Sequence, residues 1–175
     1  MNKIYFDNAA TTEISEKVIS EMMKAMKVNY GNPSSTHSHG RNSKAILELS
    51  RKTIADKFNV NPKEIIFTSG GTESNNMIIK TVVIAQNIER IISTKIEHKA
   101  VLNSIESIAK ERGITILFLD VDEYGLPNKQ QLIEYLENSD EKTLVSLMHI
   151  NNETGTMIDL EEFGKICKSN NALFH

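Results

Sequence analysis

The chain has one cysteine, three prolines and no tryptophan among its 175 residues. A lone thiol, Cys167, cannot close an intrachain disulfide, and such scarcity suits a reducing cytoplasm better than a secreted, stapled domain. Apolar runs long enough for a membrane-spanning helix are missing. Met1-Asn2-Lys3 is followed only by Ile4-Tyr5-Phe6 before Asp7, so the start does not read as a signal peptide. An excess of one charge is lacking too: 20 basic residues against 23 acidic give a net charge of -3. The basic residues are scattered, which leaves no stripe to track the phosphates of a nucleic acid. There is no internal repeat and no low-complexity segment. What remains is an ordinary globular composition, 39% apolar and 25% charged, long enough for one domain with its own core.

After residue 60 the pattern alternates. Short apolar, β-rich runs stand at Ile65–Thr68, Arg90–Ser93, Ile114–Leu119 and Thr143–Met148, and another begins at Ala172-Leu173-Phe174-His175. Between them lie stretches of helical spacing, about Glu73–Asn87, Lys99–Arg112, Asn128–Glu137 and Leu160–Ser169. Continuous apolar strands separated by amphipathic helices predict an α/β fold, a mostly parallel sheet with helices on both faces. Two helices precede it. Ser15 can cap the first, whose Val18, Ile19, Met22, Met23 and Met26 form a stripe that reads as core packing. Tyr30–Thr36 is dense in turn formers and predicts a loop. The second helix, about Gly40–Phe58, should stop before Asn61-Pro62.

Ligands of open parallel sheets bind at the carboxyl ends of the strands. The loop Ser69-Gly70-Gly71-Thr72-Glu73-Ser74 opens straight into a helix there. Its glycines free the backbone N–H groups, and the Thr72 hydroxyl stands at a positive helix end, which in physical terms is a phosphate cup. It is neither a P-loop nor a dinucleotide fingerprint. A plain strand-to-helix turn capped by Ser or Thr is the alternative. His98 follows Glu97 on a second loop, and Asn151-Asn152 begin a third, where both could equally be turn residues. Convergence of a phosphate cup, an imidazole and a carboxamide at one sheet edge suits a flat phosphorylated heterocycle. His37 and His39 are too few for a metal site and read as loop residues. Cys167, on an apolar helix face, reads as a buried, inert thiol.

Five segments carry a resemblance. They are Tyr5-Phe6-Asp7-Asn8-Ala9-Ala10-Thr11-Thr12, Gly31–Ser35, Phe67–Asn76, Glu97-His98-Lys99-Ala100-Val101-Leu102 and Leu144–Gly155. In this order and spacing the chain resembles cysteine desulfurases of the NifS/IscS type, which are class V, fold-type-I pyridoxal-phosphate enzymes. The resemblance implies that the Gly71 backbone and Thr72 hydroxyl hold the cofactor phosphate. It implies that His98 stacks on the pyridine ring and assists proton transfer, and that Asn152 approaches the ring's 3-hydroxyl. It also implies L-cysteine as substrate, an iron–sulfur scaffold or a tRNA thiolation enzyme as sulfur acceptor, and a homodimer when full-length. Residues 1–14 would belong to the side of a smaller domain, and 15–175 would form the first part of the large cofactor-binding domain.

Other parts of the family's pattern have no match here: an aspartate for the pyridine nitrogen, the cofactor-anchoring lysine and a loop cysteine that accepts sulfur. Cys167 does not match that nucleophile. The chain also stops within an apparent strand, leaving an unpaired sheet edge. It is therefore expected to be the amino-terminal part of such an enzyme, a truncated product, a remnant or one half of a split polypeptide, inactive alone. Another class V lyase or aminotransferase is the alternative within the fold. A non-catalytic interaction fragment is the alternative outside it.

Overall fold

The computed structural model describes residues 4–175, which divide between Phe67 and Thr68 into two compact units.

The first unit holds two helices, α1 (Glu16–Val28) and α2 (Ser38–Phe58). Ser15 Oγ accepts from the Val18 N–H and starts α1, as its residue type predicts. The structure corrects one expectation here. No residue of α1 is buried, and Met22, Met23 and Met26 are 47–66% exposed, so the stripe read as core packing lies open. Periodicity marks a face able to be covered; it does not say that the covering residues are at hand. His37 caps α2 by accepting from the Gly40 N–H, and His39 stacks on Tyr30 with ring centroids 5.6 Å apart. A second correction follows α2. Ile65–Phe67 is extended chain but not a strand, because among the described residues it finds no neighbour to complete a ladder. The segment is held instead by a turn, in which Asn61 and Glu64 form a capping box, and by Arg51, which lies 5.0 Å from the Phe67 ring centroid.

The second unit is the α/β body. Its helices are α3 (Gly71–Ala85), α4 (Lys99–Arg112), α5 (Lys129–Glu137) and α6 (Leu160–Ser169). Its strands are β1 (Arg90–Thr94), β2 (Thr115–Leu119), β3 (Thr143–Val145) and β4 (Leu173–Phe174). All three pairings are parallel, in the order β2-β1-β3-β4. Alternation along the strands assigns the two faces. Ile91 and Leu144 turn to one face and pack with Ile79, Val83, Val101, Ile105 and Ile108 of α3 and α4. Their neighbours Ile92 and Val145 turn to the other, where Leu132, Leu136, Phe163 and Cys167 of α5 and α6 cover them. This is why β1 is apolar through its middle and buried along its whole length. Gly113 ends α4 at φ 70°, a left-handed position that suits glycine.

Candidate functional site

The connection into α3 is built from short polar side chains. Thr68 and Ser74 hydroxyls lie 2.6 Å apart, and the Ser69 N–H and hydroxyl both donate to Glu73 Oε2, at 2.6 and 2.7 Å. These bonds hold the Glu73 carboxyl below its ordinary pKa range. They also tie that carboxylate to Ser69. Side chains cap the other five described α-helices: Ser15, His37, His98, Asn128 and Asp159. No side chain caps α3. A Cβ added at Gly70 or Gly71 would meet nothing within 4 Å, and Thr72 is exposed. The amino end of this 15-residue helix thus keeps backbone N–H groups that its N-cap residue does not take up and opens onto free space at Gly70 and Gly71, with Glu73 the acidic residue of its first turn.

His98 is the N-cap of α4. Its Nδ1 accepts from the Ala100 N–H at 3.0 Å, which leaves the proton of the neutral ring on Nε2, on an exposed side chain. The preceding Glu97 is buried; its Oε1 accepts from the Thr94 hydroxyl at 3.1 Å and from the Met148 N–H, on the loop after β3, at 3.0 Å. Burial pushes the Glu97 carboxyl above its ordinary range, and the two hydrogen bonds oppose that shift.

The two asparagines divide their work. Asn151 is buried: its Nδ2 donates to Ile96 O at 2.8 Å, while its Oδ1 accepts from the Glu153 and Thr154 N–H groups. Asn152 is exposed, and its amide donates only to Glu153 Oε1 at 3.1 Å. A third loop, after β2, closes against both. Gly125, at φ 83°, lies so near that a Cβ there would stand 3.4 Å from Ile96 Cδ1 and from Thr154 Oγ1.

Topology brings the predicted residues to one edge. α3 descends to residues 86–89 and so to the amino end of β1, which puts its own start at the carboxyl edge of the sheet. α4 leaves β1 at that edge, and the two helices pack side by side. Gly71, Thr72, His98 and Asn152 therefore share the carboxyl edge, all of them exposed. None hydrogen-bonds to another. Cys167 is far from this chemistry, 1% exposed within α6, and burial pushes its thiol up to about 11. Glu97 is absent from the residues expected at the site, and Asn152 was set apart from Asn151 only through the family resemblance, since as residue types the two are equivalent turn formers. One signal was present: a carboxylate between an apolar strand and a helix cap must be either solvated or hydrogen-bonded.

An uncapped helix start, an imidazole and a carboxamide on one edge of a parallel sheet define an α/β site class suited to a phosphorylated ligand. The chain belongs to the class-V aminotransferase family, whose model matches residues 4–175. That family, cysteine desulfurases included, is pyridoxal-phosphate-dependent. The chain is 45% identical to a mitosomal cysteine desulfurase of Trachipleistophora hominis over 99% of its own length and 40% of the relative's. It superposes on a solved NifS-like protein with a TM-score of 0.91 at 38% identity, covering 99% of this chain and 48% of that one. A second solved structure, SspA in complex with cysteine, matches with a TM-score of 0.88 at 31% identity, over 98% of this chain and 49% of SspA. The chain thus spans less than half the length of these relatives.

Proposed function

We propose that this chain is the amino-terminal part of a pyridoxal-phosphate-dependent cysteine desulfurase and supplies one wall of its cofactor site. The observation that carries the reading is the uncapped, open start of α3, on the same sheet edge as His98 and Asn152. The donor set fits the cofactor: free N–H groups and a hydroxyl for a phosphate, a flat ring for stacking and a carboxamide for a phenolic oxygen.

In this reading the Gly71 N–H and the Thr72 hydroxyl bind the phosphate. Asn152 turns its amide from Glu153 to the ring's 3-oxygen. His98 lies against the ring face and, as the resemblance implies, assists proton transfer, Nε2 being the ring nitrogen that the Ala100 N–H leaves free. The bound cofactor supplies an electron sink for the substrate's amino-acid carbon. The partner assignments follow the resemblance: L-cysteine as substrate, an iron–sulfur scaffold or tRNA thiolation enzyme as acceptor, and a homodimer. Residues 1–14 go with a smaller domain and 15–175 with the large one. A cytoplasmic location is supported by the single free cysteine, which is buried.

Affinity of this wall alone is small. A helix start contributes about 0.3–1 kcal/mol, and stacking roughly 1–3 kcal/mol. A total of about 4 kcal/mol corresponds to a dissociation constant near 1 mM. Activity then depends on the further length its relatives carry. The test joins or mixes this chain with that remaining length, adds pyridoxal phosphate, and measures visible absorbance of bound cofactor together with sulfide and alanine from cysteine. Both signals are expected. Bound cofactor without sulfide indicates another class V reaction, and neither signal from folded material refutes the reading.

A further inference from the structure

The loops that carry His98 and Asn152 are joined by two hydrogen bonds that run in opposite directions. Glu97, one residue before His98, receives the Met148 N–H of the opposite loop at 3.0 Å. Asn151, one residue before Asn152, gives its Nδ2 hydrogen to Ile96 O at 2.8 Å. Each staple thus starts from the residue adjoining a proposed cofactor contact and ends on the backbone of the other loop.

Both staples are buried, Glu97 at 9% exposure and Asn151 at 6%, whereas the residues they adjoin are exposed. Each is also braced on its own side. Thr94 fixes the Glu97 carboxyl, and the Glu153 and Thr154 N–H groups fix the Asn151 carbonyl oxygen. A buried carboxylate is costly to maintain, and an apolar residue would fill the same space at lower cost. Its presence beside the site is accounted for by a directional role that an apolar residue cannot fill. Hydrogen bonds to a backbone N–H and a backbone carbonyl are directional and set the spacing of two chains to a few tenths of an ångström.

We propose that Glu97 and Asn151 are positioning residues whose crossed hydrogen bonds set the separation of His98 and Asn152. The inference rests on the proposed cofactor site for its purpose, but its physical content is coupling between two loops. A stacking ring and a phenolic-oxygen donor must both meet one flat ligand, and an error of about 1 Å between them is enough to weaken binding and catalysis greatly. Each side chain then acts through its neighbour and touches no ligand itself.

The test reads each loop while the other is altered. In the full chain without cofactor, amide hydrogen exchange is followed by mass spectrometry over residues 94–100 and 146–156. Glu97→Ala is expected to speed exchange at the Met148 amide, on the opposite loop, by about tenfold or more, equivalent to about 1.4 kcal/mol. Glu97→Gln keeps the acceptor oxygen and is expected to restore protection. Asn151→Asp keeps the local acceptor but removes the donor to Ile96, and is expected to speed exchange over 94–100. Circular dichroism identifies any variant that has not folded, and the two conservative variants then carry the result. Exchange changes confined to the mutated loop would overturn the proposal. A second arm measures pyridoxal phosphate binding by the full-length protein. Loop coupling with affinity lowered about tenfold in Glu97→Ala supports the whole inference. Loop coupling with affinity unchanged overturns the positioning role. Should no variant and no parent bind cofactor while the coupling is present, it is the proposed function that fails.

Discussion

Alkylation of Cys167 separates a structural thiol from a sulfur carrier. The side chain belongs to the buried cluster that includes Leu132, Ile158 and Phe163, and is 1% exposed. Loss of hydration raises its pKa from an ordinary 9.0 to about 11. At pH 8 a thiol of pKa 9.0 is about 9% thiolate, and one of pKa 11 about 0.1%, so ionisation alone slows alkylation about a hundredfold. Access adds to this, because the reagent must wait for the face to open. Iodoacetamide labelling followed by mass spectrometry should therefore run at least about a hundredfold slower in the folded chain than in concentrated urea at the same pH. A folded-state rate within about tenfold of the unfolded one would refute the reasoning. Cys167→Ala gives the functional half of the test. Reconstituted with the remaining length of its relatives, that variant should release sulfide at the parental rate. Loss of sulfide with cofactor absorbance intact would make Cys167 part of the chemistry after all.

Other expected outcomes concern the core, the carboxylates and the phosphate cup. Ile92→Ala removes a fully buried side chain from the central strand and should cost about 2–5 kcal/mol in urea unfolding; less than about 1 kcal/mol would mean that the α5–α6 face does not pack as described. The folded chain holds the Glu97 proton more tightly than the unfolded chain does, since its pKa is raised from 4.5. Its ionisation therefore takes stability away as pH rises through 4.5 toward the folded pKa, and unfolding curves of Glu97→Gln should lack that decline. Glu73, lowered from 4.5, has the opposite sign: its contribution is present above 4.5 and lost as pH falls through the lowered value, so Glu73→Gln should be less acid-sensitive than the parent. Thr72→Val should weaken pyridoxal phosphate binding by the reconstituted protein about tenfold or more, the worth of a hydrogen bond to a charged group, and leave unfolding nearly unchanged.

Much of the α/β body was legible because each element had a single reading. α4 runs over Lys99–Arg112 and α6 over Leu160–Ser169 as the spacing predicts, β2 and β3 fall within their apolar runs, and β1 overruns its own by one residue, Thr94. The misses have physical causes. Ile65–Thr68 has the composition of a strand, but a strand exists only with a neighbour, and none of the described strands pairs with it. The methionine stripe of α1 shows the same limit for a helix: amphipathicity records a need for cover without naming what covers it. At the proposed site, Gly70-Gly71-Thr72 and His98 were visible as residue types in loops at the carboxyl edge of the sheet. Asn152 was separated from Asn151 only by the resemblance, because adjacent asparagines differ physically only in which way the backbone turns them. Glu97 was hidden for a related reason: only its contact with Met148, 51 residues away, shows what it does.

Gly71, Thr72, His98 and Asn152 are proposed to form one wall of a pyridoxal phosphate site. The most direct measurement is amide and imidazole chemical-shift mapping on the labelled chain, titrated to about 10 mM with pyridoxal phosphate and separately with pyridoxal, which lacks the phosphate. Pyridoxal phosphate should move the Gly71 and Thr72 amides, the His98 ring and the Asn152 side-chain amide together, with one dissociation constant near 1 mM. Pyridoxal should leave the start of α3 unmoved. Shifts confined to other faces of the chain, or movement of His98 with α3 silent toward both compounds, would contradict it.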